Sequence, residues 1–244
     1  MSYLTHFRSG KNIILRKIKA SIRLTGFDII RYLPSSLGSN PYLDMSSFLD
    51  DSPSLNIVDA GANLGESTDS FLDYFPKARY FCFEPCVDSY SILKNKFSSN
   101  SAITVLNIGL SEICDSVDFN VNEFKFLSSY LDLGAFGYGQ IQARIPSDLI
   151  SLDSFAEHKN LSHIHILKID VCGLELSVLK GCNFLLDENR VKLILVQLVF
   201  TEIYQPLPTF TEIIDYLLTK NFSLVGIYRQ HFQENRLSWA DALL

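Results

Sequence analysis

The stretch from Asn56 to Phe71 reads NIVDAGANLGESTDSF. An apolar run ends in Asp59, small and turn-forming residues follow, and a helical pattern begins at Glu66. A strand running through a glycine turn into a helix is the core unit of an open α/β sheet, where ligands gather beyond the carboxyl ends of the strands. Gly61 and Gly65 allow a sharp turn and close backbone approach, and the helix start offers unpaired N–H groups to an anion. A diphosphate loop requires glycine where Asn63 stands, and Glu66 would repel a diphosphate. A ligand with one carboxylate and one ammonium suits Asp59 and this helix start better, although a purely structural strand–helix turn would use the same residues.

Outward from this turn, strand and helix signals alternate. Strands are expected at Leu55–Asp59, Arg79–Glu84, Ile103–Ile108, His165–Asp170 and Lys192–Phe200. Amphipathic helices are expected near Glu66–Phe75, Val87–Phe97, Leu174–Leu186 and Phe210–Lys220. Such alternation specifies a mostly parallel sheet with helices on both faces. SVDFNVNEF (116–124) alternates like an antiparallel strand, and the tail from 221 reads as a hairpin at one edge of the sheet.

The second strand ends YFCFEP. Glu84 follows Gly65 at the spacing where an acid meets the ribose hydroxyls of a bound nucleoside. With Asp59 on the neighbouring strand end, the combination asks for a nucleoside carrying an amino acid, namely S-adenosylmethionine.

VDAGANLGEST, FEP and LKIDVCGLELSVLKG, in that order, resemble the FkbM-type methyltransferases, and the likeness runs over about residues 55–244. The resemblance implies a class I methyltransferase (Rossmann-like) fold, with a seven-stranded sheet whose last strand is antiparallel. It also implies methyl transfer from S-adenosylmethionine, commonly to an oxygen of a sugar or secondary metabolite. Asp59, Gly61, Asn63, Gly65 and Glu84 match the pattern's cofactor positions. Two positions depart from it: Cys172 stands for a glutamate, and Gln197 for an acid of the fifth strand. These departures leave open a second reading, a cofactor-fold protein retained for binding or scaffolding.

A hydroxyl acceptor needs a base. Asp170 is the first candidate for base or acceptor-orienting group, and capping the following helix is its plain structural role. Lys168 either orients the site electrostatically or snorkels to solvent. Glu175 reads as first-turn helix charge. His163 and His165 share a strand face without a third ligand, so no metal is expected. The segment 126–140, with Gly134, Gly137 and Gly139 among aromatic residues, reads as either a hinged lid over the acceptor or an ordinary long loop. A nicotinamide reductase would need a tyrosine–lysine pair. Only Tyr90 with Lys94 and Tyr216 with Lys220 offer one, both at ordinary helical spacing.

Composition narrows the class. The chain has 244 residues, 47% of them hydrophobic, enough for a large core and against global disorder. Residues 1–31 carry seven basic side chains against Asp28, a net +6, so the remainder of this −6 chain carries −12. An acidic body disfavours nucleic acid as a partner; the small-molecule or glycan acceptor is what the family resemblance implies. Within the basic segment, residues 11–24 form an amphipathic helical pattern suited to packing on the domain or to peripheral membrane contact. No apolar run spans a bilayer, no signal peptide is indicated, and five unpaired-looking cysteines fit the cytoplasm. Residues 1–54 are expected to be a basic helical arm and linker, and 55–244 the methyltransferase domain.

Overall fold

In the central strand β1 (Asn56–Ala60) every residue is buried, as a strand covered on both faces requires. The computed structural model describes residues 37–244. In it β1 pairs in parallel with β2 (Arg79–Phe83) on one side and β8 (Ile164–Ile169) on the other. β3 (Ile103–Leu106) extends the sheet beyond β2, and β9 (Val191–Val199) extends it beyond β8, both in parallel. The tail supplies β11 (Gly226–Gln233) and β12 (Arg236–Leu243), and β12 lies antiparallel between β9 and β11. The order is therefore β11-β12-β9-β8-β1-β2-β3. The expected seven-stranded sheet, with its antiparallel last strand and edge hairpin, is what forms. Chain order reverses between β1 and β8, so their carboxyl ends flank the crevice where ligands bind in such sheets.

Period-two alternation along the strands divides the core in two. Val58, Ala60, Leu167, Ile169 and Val196 face one layer, with α4 (Leu152–His158), α5 (Glu175–Lys180), α6 (Asn183–Asp187) and α7 (Phe210–Thr219). Ile57, Tyr80, Ile166 and Leu195 face the other, with α1 (Pro41–Phe48), α2 (Glu66–Tyr74) and α3 (Val87–Lys96). A smaller sheet stands beside the main one: β7 (Ile141–Ile150) pairs antiparallel with β5 (Asp115–Asn122) and parallel with β4 (Gly109–Leu110). The alternating 116–124 segment is thus an antiparallel strand, as its pattern implies.

Three expectations need correction. The linker part of the expected 1–54 arm is not simply a linker, because α1 lies within it. Asn40 Oδ1 accepts the N–H groups of Tyr42 and Leu43, Pro41 opens the helix, and Tyr42 and Met45 are buried in the core. The helix expected over Leu174–Leu186 is two short helices broken at Gly181, where an added Cβ would lie 2.0 Å from the Ser111 carbonyl oxygen. The third is the segment 126–140, read as a hinged lid or an ordinary long loop, which contains a short strand. Its β6 (Asp132–Leu133) pairs antiparallel with β10 (Tyr204–Gln205), and Gly134 and Phe136 donate to the carbonyls of Ile203 and Glu202. Gly134 and Gly137 admit the 202–203 backbone at close range, which gives both a packing role.

The described residues from Leu37 onward make one compact unit. The amphipathic stretch 11–24 and the rest of the basic arm lie outside the described residues. Among the described residues no helix is long and apolar enough to cross a membrane.

Candidate active site

The loop after β1 is fastened to the end of β2. Gly61 and Ala62 both donate to the Phe83 carbonyl, and the Asn63 N–H donates to Glu84 Oε2 at 2.8 Å. Glu84 Oε1 accepts the Cys86 N–H, also at 2.8 Å. Both carboxylate oxygens are therefore held by backbone donors at the mouth of the crevice. Burial pushes the Glu84 carboxyl up to about 7, against the pull of these two amides.

The glycines of this loop serve packing more than ligand approach. Gly61 has φ +75°, and an added Cβ would sit 1.9 Å from the Asp170 carbonyl oxygen. At Gly65, φ +85°, a Cβ would strike the rings and methyls of Phe97 and Leu93 on the neighbouring helix. Gly61→Ala is accordingly expected to destabilise the fold by at least about 2 kcal/mol, from left-handed backbone strain plus overpacking. A shift in the urea midpoint of unfolding measures it.

Beneath the loop is a buried charge cluster. Asp59 is fully buried on the α2 face, and its Oδ2 accepts the Thr68 hydroxyl at 2.8 Å. Lys168 sits beside it in the parallel register. Its Nζ lies 3.1 Å from Asp59 Oδ1 and 3.6 Å from Asp170 Oδ2, and donates to the Gly61 carbonyl at 3.0 Å. Burial works against the ammonium, but the two aspartates outweigh it and hold the Lys168 pKa above its ordinary value. Lys168 neither snorkels nor reaches the crevice; it ties together the ends of β1 and β8.

The turn after β8 carries the next group. Cys172 is left-handed, with φ 55°, and its carbonyl accepts the Ser129 hydroxyl. Glu175 is not a solvated helix charge. It is buried and accepts the N–H groups of Val171 and Gly173, so it shapes the turn that presents Asp170. Burial pushes its carboxyl up to about 7 despite those donors.

These strand ends open on a cavity of about 190 Å³. Small-molecule sites usually measure roughly 300–1,000 Å³, so the cavity is small for such a site. Gly61, Asn63, Glu84 and Asp170 line it, whereas Asp59, Gly65 and Lys168 do not. Cys172 and Gln197 line it as well, so both residues that depart from the family pattern face the same space as Asp170. Opposite Gln197 in the ladder is Asp241, buried and ion-paired with Arg229; it does not line the cavity.

Another wall is formed by Leu127, from the segment read as a lid or long loop, and by Ile203, Tyr204 and Trp239, which escaped the sequence reading. Its residues come from the two segments zipped by β6 and β10 and from β12, and no local motif marks them.

The remaining candidates lie elsewhere. His165 Nδ1 accepts the Asn56 N–H, which gives that ring a structural role. Neither tyrosine–lysine pair lines the cavity; Lys94 bonds Tyr90 on an exposed helix face, and Lys220 bonds Asn183 and Asp187.

Residues 59–224 match the family described as Methyltransferase FkbM domain. The chain is similar to the 2-O-methyltransferase NoeI of Sinorhizobium fredii, 24% identical over 145 residues that cover 55% of this chain and 60% of that protein. Among solved structures, Methyltransferase FkbM from Methylobacillus flagellatus aligns with a TM-score of 0.54 at 19% identity, covering 84% of this chain and 48% of that one. Aeropyrum pernix fibrillarin, solved with natively bound S-adenosyl-L-methionine, aligns with a TM-score of 0.48 at 13% identity, covering 84% and 75%. The chain spans about half to three-fifths of the length of the first two relatives. The fold is that of the class I methyltransferases.

Proposed function

The chain belongs to the FkbM methyltransferase domain family, and from that membership we propose that it methylates a hydroxyl of a small-molecule or glycan acceptor. The family's cofactor is S-adenosylmethionine. The residues fit it: each Glu84 oxygen accepts one backbone N–H and keeps a further lone pair for a ribose hydroxyl. When bound, the cofactor supplies a sulfonium methyl group open to in-line attack. We assign Glu84, Gly61 and Asn63 to contact with it. Asp59, Gly65 and Lys168 act one layer further out, by fixing the loop and the strand ends.

The observation that carries the reading is that Asp170 lines the same cavity as Glu84, on the strand end across the sheet's reversal point. We assign Asp170 the role of accepting the proton of the acceptor hydroxyl. A neutral hydroxyl is a poor nucleophile, and a positioned carboxylate relieves that as the new C–O bond forms. Lys168, 3.6 Å away, holds the Asp170 carboxylate in place.

The pH dependence of cofactor binding tests the ribose assignment. Ribose hydroxyls donate to the ionised carboxylate, so binding favours deprotonated Glu84. With the free group titrating at about 7, affinity for S-adenosylhomocysteine should fall as pH drops through that value, by about ten-fold between pH 8 and pH 6. Titration calorimetry at the two pH values measures it. Glu84→Gln should abolish the dependence and weaken binding at pH 8, and a folded Glu84→Gln variant that binds as tightly as the wild type at pH 8 would remove the assignment.

A further inference from the structure

One part of the cavity lining is aromatic and aliphatic, with Leu127, Ile203, Tyr204 and Trp239 as a wall, while Gly61, Asn63, Glu84 and Asp170 bring polar groups to the same space. Trp239 is the chain's single tryptophan. It packs with Val199, Ile203 and Tyr204, and the His231 ring stacks on it, with centroids 3.8 Å apart and planes within 14°. The stack comes from the direct pairing of His231 with Trp239 across the terminal hairpin, so the indole is held as a rigid surface.

Charge restricts what can rest there. Among the described residues, the carboxylates and amines lining the cavity are Glu84, Asp170 and Lys125. Lys125 is paired with Asp88 at 2.8 Å on the exposed rim, and Lys168 is enclosed by Asp59, Asp170 and the Gly61 carbonyl. An anion beside this wall would therefore face two carboxylates, and among the described residues the one lining cation, Lys125, is already paired with Asp88. Gln197 and Cys172 are neutral there, and the Gln197 amide can both donate to and accept from hydroxyls.

We propose that Trp239 is the residue that sets acceptor specificity, and that the acceptor is an uncharged, hydroxyl-bearing molecule whose apolar face rests on the Trp239 wall. This rests on the methyltransferase reading and narrows it, since phosphorylated and carboxylated acceptors are rejected. Saturated aliphatic C–H faces and aromatic rings both pack on an indole, while the hydroxyls reach Asp170 and Gln197.

The test uses the full chain saturated with S-adenosylhomocysteine and two matched probes, phenyl β-D-glucopyranoside and its carboxylated counterpart phenyl β-D-glucuronide. Tryptophan emission reports only Trp239. The expected result is a saturable change with the glucoside, and binding weaker by about ten-fold or more for the glucuronide. By calorimetry, Trp239→Ala should weaken glucoside binding by about ten-fold, while Trp239→Phe keeps it within about three-fold, an aromatic face being what matters. Both variants should bind S-adenosylhomocysteine as the wild type does, which also verifies their fold. Equal or tighter glucuronide binding, no saturable glucoside signal, or an unchanged Trp239→Ala variant would overturn the proposal. Failure of the wild type to bind S-adenosylhomocysteine would strike the methyltransferase reading itself, and this inference with it.

Discussion

Replacing Asp170 with Asn is expected to lower turnover by about 10²–10⁴-fold, the usual contribution of a positioned general base. The amide is nearly isosteric and keeps a polar group beside Lys168, so the fold and the affinity for S-adenosylhomocysteine should change little. The loss should appear in kcat more than in KM, because proton acceptance matters at the transition state. Single-turnover methyl transfer, with cofactor binding measured in parallel, separates the two. A fully active Asp170→Asn variant would leave the cavity without its base, since Asp241 is committed to Arg229 and Glu84 to the backbone amides.

The largest effect on stability is expected at Lys168. Lys168 and Asp59 are almost wholly buried, and removing the ammonium as Lys168→Met leaves the Asp59 carboxylate without its countercharge. Breaking a buried pair from one side costs about 3–5 kcal/mol. Much of that is the desolvated charge left behind rather than the worth of the pair. The double variant Asp59→Asn/Lys168→Met should therefore recover a substantial part of the loss. Urea unfolding of the three variants measures this, with midpoints compared at constant slope. If Lys168→Met unfolds as the wild type does, the cluster is not what joins the ends of β1 and β8.

The same cluster shows where sequence reading stops. Asp59 was legible as a strand-end acid, but its partner lies 109 positions further along the chain and meets it only through the parallel register of β1 and β8. Glu175 looked like ordinary helix charge because nothing local shows that the 171–173 turn folds back over it. The glycines of 126–140 left a hinged lid and a long loop both open, since sequence records conformational freedom and not the neighbouring backbone that Gly134 and Gly137 accommodate. The sheet, by contrast, was readable: buried runs with turn signals at their ends leave few topologies once helices alternate with them. The helix at Pro41–Phe48 could have been found from its Asn40-Pro41 start, a capping signal hidden in a Ser- and Pro-rich stretch. Residues of the aromatic wall carry no motif, and only the folded chain brings Tyr204 and Trp239 to one cavity.

Whether Cys172 and Gln197 leave a working enzyme decides between methyltransferase and binding protein. The most direct measurement is transfer of a labelled methyl group from S-adenosylmethionine to a panel of hydroxylic acceptors, run side by side on the wild type and Cys172→Glu. With Asp170 already in the cavity, the wild type is expected to methylate at least one acceptor, and Cys172→Glu to be no faster. A wild type silent across the panel, beside a Cys172→Glu variant that transfers methyl, would contradict the account and leave the natural chain a binding protein.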